Sequence, residues 1–400
     1  MMEEVIFGSE VDERFMRVAL GAALGGEGFV EPNPMVGAVI VRGGELVGVG
    51  FHRRFGGFHA EVEAITDAVK NFGNDVTSGA VCYVTLEPCS HYGKMPPCTD
   101  AILKAGIKRV VVAMRDPNEL VNGCGIGILR ANGVEVMEGV LEGEARDLNA
   151  SYLMSIENGR VWVIAKWAMT LDGRIATIVG KSKWITNKTS RLTVQKIRQR
   201  ADAIMIGSNT AKLDNPNLTV RGESVRGFEE SRVPLRIVLD SGAMISVESN
   251  LVRTAGKVPL LVVVSSEADA ARVDKLYAAG CEVLRLPPKT DNNSDNTSER
   301  TNKTYREQIT FLLKYLAQRK LTSVLVEGGQ RLFGTLFDLQ LIDEVHAFIA
   351  PKLVGGQMAV PVIGGIGLSE MDSTPELINP NIKIYENDIH IHGRLKWHIP

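Results

Sequence analysis

Apolar and polar positions along this chain switch repeatedly between a helical period and a strand period, and the switches mark its elements. Residues 12–24 carry Phe15, Val18, Ala19, Ala22 and Ala23 at helical spacing. AVIV (38–41), a Gly43-Gly44 turn and LVGVG (46–50) then predict a β-hairpin. A helix follows from about His59 to Phe72. AVCYVTL (80–86) and RVVVAM (109–114) are β-branched apolar runs suited to central strands. Between them TDAILKAG (99–106) is a helix closed by Gly106. A helical stretch through Leu148, Leu153 and Ile156 stops at Asn158-Gly159, and VWVIAKWAM opens a new strand. The same alternation resumes in DAIMIG (202–207), LRIVLD (235–240), PLLVVV (259–264), SVLVEGG (323–329) and DEVHAFIAP (343–351). This order predicts two α/β domains, 1–150 and 151–400. The segment 287–304 is polar and nearly free of apolar groups, which reads as a mobile loop insertion in the second domain.

Composition narrows the picture without changing it. At 400 residues, 44% apolar and 23% charged, the chain is long enough for sizeable cores. A net charge of −2 gives no electrostatic reason to expect nucleic acid or an anionic membrane as partner. No apolar run approaches the ~18 residues of a bilayer span. The start, MMEEVIFGSEVDE, lacks the pattern of a signal or transit peptide. Five cysteines are too few and too odd for a disulfide framework, so reduced thiols and a cytoplasmic location are expected. Metal ligation becomes the question to ask of them. Oligomeric state is left open, a homo-oligomer being among the states allowed.

The strongest chemical signal is His59-Ala-Glu61 followed by Pro88-Cys89 and, after eight residues, Cys98. A catalytic zinc takes three nitrogen or thiolate ligands and keeps a fourth position for water. His59, Cys89 and Cys98, each near a helix start, supply those three. Helix N-termini favour thiolate. Glu61, in the first helical turn, is placed to move a proton between the activated water and the substrate. This is the logic of the zinc deaminases, whose signature is H-x-E with P-C-x-x-C. The insert SHYGKMPP separates the two cysteines here and sets Ser90, His91 and Lys94 near the substrate mouth. The alternative is a closed zinc site with His91 or Cys82 as fourth ligand. Cys82, Cys124 and Cys281 read as free buried thiols.

PNPMVGAVIV (32–41), HAEVEAI (59–65) and TLEPCSHYGKMPPCTDAI (85–102) together resemble the deaminase domain of the bifunctional riboflavin-biosynthesis proteins. The resemblance implies a cytidine-deaminase-like three-layer α/β/α domain with one Zn2+ per chain. Its substrate would be a small molecule, 2,5-diamino-6-ribosylamino-4(3H)-pyrimidinone 5′-phosphate. It also implies that Asn33 helps hold the pyrimidine, against a reading as a turn residue between two prolines. His52 and Lys94 are candidate phosphate or ribose contacts, against a solvated surface role.

The second half carries KWAMTLDGRIA (166–176), SKWIT (182–186), IRQRADAIMIGSNTAKLDNPNLTVR (197–221), IVLDSG (237–242) and VEGGQRLFGTLF (326–337). Neither a Walker loop nor G-x-G-x-x-G is present. V-E-G-G between a strand and a helix is a natural phosphate cradle, since Gly328 and Gly329 admit a ligand close to the backbone. These segments resemble the NADPH-dependent reductase domain of the same family, with its dihydrofolate-reductase-like α/β fold. Carried over by motif, Ala168, Trp184, Thr210, Asp214, Ser241 and the turn Gly329, Gln330, Arg331, Leu332, Phe333, Gly334 and Thr335 would contact NADPH. Ser182, Arg198, Leu218, Arg221 and Glu327 would contact substrate, with Arg198 and Arg221 clamping the ribose phosphate. Core packing is the alternative for Trp184. Asp172 in T-L-D-G is a candidate for proton management or for ordering the site. The residues name no general acid for hydride transfer.

The resemblance therefore implies hydrolytic deamination at the pyrimidine 2-amino group, then NADPH-dependent reduction of the ribosyl chain to 5-amino-6-(5-phosphoribitylamino)uracil. Three rivals stand beside it. The second domain could bind the phosphoribosyl group without reducing it. The first could be a tRNA or free-base deaminase, which would favour Cys-x-x-Cys and a basic face. The metal could be purely structural.

Overall fold

A computed structural model describes residues 9–93, 95–221, 233–288 and 298–397. Contacts divide the chain into two units, 1–159 and 160–400. The division at 150/151 expected from the sequence moves to Gly159, because Tyr152 and Leu153 still pack into the first core.

The first unit runs α1 (Ser9–Ala23), β1 (Gly37–Arg42), β2 (Glu45–Phe51), α2 (Ala60–Phe72), β3 (Val81–Val84), α3 (Cys98–Lys104), β4 (Arg109–Val112), α4 (Cys124–Ala131), β5 (Glu135–Glu138), α5 (Glu142–Leu148) and α6 (Ala150–Asn158). Its sheet has the order β2-β1-β3-β4-β5. Strand alternation feeds two cores. Val39, Val41, Tyr83 and Val111 meet Phe15 and Met16 of α1 and Leu153 of α6 on one face. Ala38, Ile40, Cys82 and Val110 meet Ala60, Ala64 and Ala68 of α2, Ile102 of α3 and Leu129 of α4 on the other. The result is a three-layer α/β/α sandwich. Gly48 and Gly50 of β2 let α2 lie directly on the hairpin, since a Cβ at either would collide with the Ala64 backbone. The helical stretch expected to run unbroken through Leu148 and Leu153 is interrupted at Asn149. There the side chain leaves the helix to exchange hydrogen bonds with the Met35 backbone, at 2.8 and 3.0 Å.

The second unit contains β6 (Trp162–Thr170), β7 (Arg174–Ala176), α7 (Lys188–Arg200), β8 (Ala203–Gly207), α8 (Ser208–Asp214), β9 (Leu235–Leu239), α9 (Asn250–Arg253), β10 (Leu260–Val264), α10 (Ala270–Ala278), β11 (Glu282–Arg285), α11 (Ser298–Gln318), β12 (Ser323–Val326), α12 (Gln330–Asp338), β13 (Glu344–Ala350), β14 (Val360–Pro361), β15 (Glu376–Tyr385) and β16 (Asp388–Lys396). Nine strands form one mixed sheet, β11-β10-β9-β8-β12-β6-β13-β16-β15. It is parallel as far as β13 and antiparallel beyond it. Leu312, Leu313 and Leu316 of α11 and Phe333 and Leu336 of α12 cover Val163, Ala165, Met205, Val324 and Val326. Within the polar segment 287–304, residues 289–297 lie outside the described residues, and from Ser298 the backbone is already α11, not loop. A polar composition does not exclude a helix, since Ser, Glu, Arg and Lys all have propensities compatible with a helical backbone.

The terminal hairpin β15–β16 was not anticipated. It closes at Tyr385 opposite Asp388 through Glu386-Asn387, with Glu386 at φ 58°. Its inner strand β16 shares a polar ladder with β13. His346 Nε2 lies 2.7 Å from Glu344 Oε1, and His346 Nδ1 lies 3.0 Å from His390 Nε2. The rings of His346, His390 and His392 stack with centroids 4.8–5.2 Å apart. Trp162 Nε1 donates to Glu344 Oε2 at 3.0 Å.

Candidate active sites

In the first unit, His59 is the N-cap residue of α2 and Cys98 the first residue of α3. Cys89 lies in the loop after β3. His59 Nδ1 stands 3.2 Å from Cys98 Sγ and 3.4 Å from Cys89 Sγ. All three ligand atoms fall within 4.8 Å of one another. Tetrahedral zinc with ordinary Zn–S and Zn–N bonds asks for ligand separations of about 3.6 Å, so the donor set fits the ion in both chemistry and spacing. Neither His91 nor Cys82 joins this cluster among the described residues, which removes the closed four-ligand alternative on those residues.

Electrostatics support the assignment. The hydrogen bond shared with Cys98, then that with His59, pulls the Cys89 thiol down to about 4. The shared bond and burial push Cys98 up. A bound cation would favour thiolate on both. Glu61 is 3% exposed, and burial, then the charge of Cys89, raises its carboxyl to about 7. That is the range a proton carrier needs at neutral pH.

His52 is buried, which excludes the solvated surface role. Its Nδ1 lies 2.9 Å from the Phe58 carbonyl and its Nε2 3.2 Å from Asn33 Nδ2. With burial lowering its pKa, the neutral ring donates from Nδ1 and accepts at Nε2, so it orients the Asn33 amide. Lys94 lies outside the described residues. Cys124 is exposed at the start of α4, contrary to the buried reading, whereas Cys82 and Cys281 are buried as expected. Sequence reasoning missed Glu87. Its carboxylate accepts from the backbone N–H groups of Gly123 and Gly125 at 2.9 and 3.0 Å, capping α4 and fixing the turn that delivers Cys89. An acidic residue directly before Pro-Cys was the available signal.

In the second unit a cleft of about 840 Å³ opens at the strand ends. Ala168, Ser182, Trp184, Arg198, Thr210, Asp214, Arg221, Glu327, Gly329, Gln330, Arg331 and Leu332 line it. The segment 330–335 is the first part of α12, not a turn, and its far side faces away from the cleft. Phe333 is fully buried against Trp167, Gly334 abuts the Gly364 backbone, and Thr335 bonds to the Arg331 carbonyl. Leu218 is buried, and Ser241 is exposed beyond β9; neither lines the cleft. Trp184 is 65% exposed with the Arg191 guanidinium 4.5 Å over its ring, which excludes the core alternative. Asp172 stays outside the cleft. It accepts from Thr170 Oγ1 and the Gly355 N–H, and these bonds hold it down to about 2. It orders a loop and carries no proton at neutral pH.

The centre of the cleft is an ion cluster that sequence reasoning saw only in part. Arg198 grips Glu327 through Nε and Nη2 at 2.6 and 3.0 Å, and Lys166 Nζ reaches the same carboxylate at 3.1 Å. Arg198 Nη1 donates to the Thr219 carbonyl at 3.0 Å. Arg198 is therefore not solvated, and three of its five N–H donors are already engaged. Burial opposes the charge on Glu327, but Arg198 and then Lys166 outweigh it and keep the carboxyl well below its usual range. Lys166, a charged residue in the middle of an apolar strand, was the signal overlooked.

A buried acid beside a His/Cys/Cys triad in one unit, and a cleft at the strand ends of the other, fit a two-site enzyme that joins a zinc deaminase to a reductase. A family model for the cytidine and deoxycytidylate deaminase zinc-binding region matches residues 9–114, and one for the RibD C-terminal domain matches 161–391. The riboflavin biosynthesis protein RibD of Bacillus amyloliquefaciens is 39% identical over 94% of this chain and 95% of its own. The Escherichia coli protein is 34% identical over 95% and 98%. Among solved structures, Acinetobacter baumannii RibD superposes with a TM-score of 0.82 at 32% identity, covering 97% of this chain and 100% of that one. A Thermotoga maritima diaminohydroxyphosphoribosylaminopyrimidine deaminase/5-amino-6-(5-phosphoribosylamino)uracil reductase gives 0.78 at 35% identity, covering 97% and 99%. The chain belongs to the RibD family of riboflavin-biosynthesis proteins. It is a bifunctional enzyme, a zinc-dependent deaminase and an NADPH-dependent reductase.

Proposed function

We propose that the first unit deaminates 2,5-diamino-6-ribosylamino-4(3H)-pyrimidinone 5′-phosphate and that the second reduces the ribosyl chain of the product. The observation that carries this reading is the presence in one chain of two separately built sites, one centred on the buried carboxylate of Glu61 and the other on the ion-paired carboxylate of Glu327. His59, Cys89 and Cys98 would hold one zinc, which supplies an activated water when bound. Glu61 would carry two protons in turn, one from the attacking water to the ring nitrogen and one from the new hydroxyl to the amino group that leaves as ammonia. Asn33, oriented by His52, would hold the pyrimidine.

In the cleft, Ala168, Trp184, Thr210, Asp214 and the α12 start from Gly329 to Leu332 would hold NADPH, the hydride donor. Ser182, Arg221 and the Glu327–Lys166–Arg198 cluster would receive the sugar. Hydride transfer is then mostly positioning. Arg221 lines the cleft with its backbone N–H fixed by Gln195, and it suits the ribose phosphate better than Arg198 does. The two domains would be the units divided at Gly159. A cytoplasmic enzyme fits the free cysteines, and no described helix is long and apolar enough to cross a membrane. Nucleic acid is not expected as a partner at a net charge of −2. Exposed Ile382 and Ile384 on edge strand β15 favour a homo-oligomer.

The test supplies the diaminopyrimidinone phosphate with and without NADPH and follows ammonia and NADPH separately. Ammonia should appear in both arms, and NADPH should be consumed only after it. Ammonia release without any NADPH consumption would leave the second unit as a binding module.

A further inference from the structure

The tip of the C-terminal hairpin is built into the first turn of α7. Asp388 is 3% exposed, and its Oδ2 accepts from the Asn187 N–H at 2.8 Å and from Ser190 Oγ at 2.7 Å. Asn187 Nδ2 donates to the Tyr385 carbonyl at 2.6 Å, while Asn187 Oδ1 caps the helix by accepting from the Ser190 N–H at 2.8 Å. Thr189 Oγ1 donates to Glu386 Oε1 at 2.6 Å. Two carboxylates thus face the positive end of the helix dipole. Glu386 does this from the left-handed region, at φ 58°, where glycine would sit without strain. Glycine has no side chain to reach Thr189.

From this anchor α7 runs along the cleft, and three of its side chains hold other cleft residues. Arg191 lies over the Trp184 ring. Gln195 Oε1 accepts from the Arg221 N–H at 2.9 Å. Arg198 grips Glu327. A continuous hydrogen-bonded helix passes a shift at its start on to all three contacts. Small misplacements of this kind are costly in a site that works by positioning.

We infer that Asp388, assisted by Glu386, is a positioning residue of the reductase site, acting through α7 without touching substrate or cofactor. The inference rests on the reading of the cleft as the reductase site.

Steady-state reduction of pre-deaminated substrate by the full-length zinc-loaded enzyme tests it, with ammonia release as the internal control. Asp388→Ala should raise KM for the pyrimidine and lower kcat/KM by roughly 10- to 100-fold. Asp388→Asn keeps an oxygen that accepts both bonds and should recover to within about threefold of wild type. Glu386→Gly relieves the left-handed residue while cutting the Thr189 bond. Its melting temperature should hold or rise while KM for the pyrimidine still increases, a combination that a merely structural role would not produce. Ammonia release should stay at the wild-type rate throughout. The inference is overturned by Asp388→Ala reducing substrate normally, by Asp388→Asn doing no better than alanine, or by Glu386→Gly leaving KM unmoved. Should Asp388→Ala fail to fold, the glycine variant decides alone. Glu327→Gln marks the cleft itself. If it reduces normally, the reading of the cleft falls and this inference with it; if it is impaired while Asp388→Ala is not, only this inference falls.

Discussion

Glutamine at position 327 would keep the shape of the side chain and remove its charge. The carboxylate now balances two cations whose side chains are only 10% and 13% exposed, Arg198 and Lys166. At an effective dielectric constant of about 20, unit charges ~4 Å apart attract by ~4 kcal/mol, so the substitution strips roughly 8 kcal/mol of gross attraction from the two pairs. Relaxation, entering water and the remaining bond from Arg198 to Thr219 return part of it. Breaking a buried pair in this way ordinarily costs about 3–5 kcal/mol, and that is the loss expected here. The assay is urea unfolding followed by tryptophan fluorescence. All four tryptophans, Trp162, Trp167, Trp184 and Trp397, lie in the second unit, so the signal reports that unit alone. Adding Lys166→Met should restore about 1–3 kcal/mol by removing one stranded cation. Reduction should fall by at least ~10²-fold in the single variant while ammonia release continues. A Glu327→Gln protein within about 1 kcal/mol of wild type, with additive effects in the double variant, would refute the reasoning.

Three further outcomes follow from the geometry. Glu61→Gln should keep its zinc, measured by metal analysis, yet lose deamination by roughly 10²–10⁴-fold; a variant that shed the metal would make Glu61 a ligand. Cys98→Ser should lose both zinc and deamination while reducing pre-deaminated substrate normally, because the two units have separate cores; retained deamination would overturn the metal assignment. Burial, with neighbouring His346 and Lys383 against it too, depresses His390 to about 3, and burial and His346 depress His392 to about 4 despite Glu344. Their folded pKa values lie below the unfolded value of 6.5, so stability is full above that pH and falls as pH drops towards 4, by about 1.4 kcal/mol per pH unit for each ring. Fluorescence-monitored urea midpoints at pH 7 and pH 5 check this, and equal midpoints would count against it.

The deaminase site was legible because its chemistry is local. His59 and Glu61 share one helical turn, and Cys89 and Cys98 bracket one loop, so spacing alone carries the donor set. The reductase cleft was legible only as a set of strand ends. Which face of α12 looks into it depends on packing against Gly364 and Trp167, far away in sequence, so no local pattern tells that Phe333, Gly334 and Thr335 lie off the cleft lining. The partners of Glu327 come from β6 and α7, and no local pattern joins Lys166 to residue 327. The last hairpin did leave a signal. Ile382 and Ile384 alternate before Glu386-Asn387, and Ile389 and Ile391 alternate after it. Polar residues between them, and an edge strand exposed along nearly its whole length, diluted that signal. The polar segment that runs into α11 misled in the opposite direction, since the solubility of a sequence says nothing about whether its backbone is helical.

Gly48 and Gly50 touch no substrate, metal or proton, yet they set how near α2 can lie to the hairpin. The helix they admit begins with His59 and Glu61. A side chain at either position would lift that helix and move a ligand and an acid together, leaving every chemical group intact but out of place. Selection for ammonia release therefore reaches into a β-hairpin that looks like plain scaffolding. In a library scored only for deamination, these two positions should tolerate as little variety as the ligands themselves. Scored for reduction, the same positions should drift freely as long as the chain still folds. The pattern of permitted substitutions would thus separate the two activities without any inhibitor.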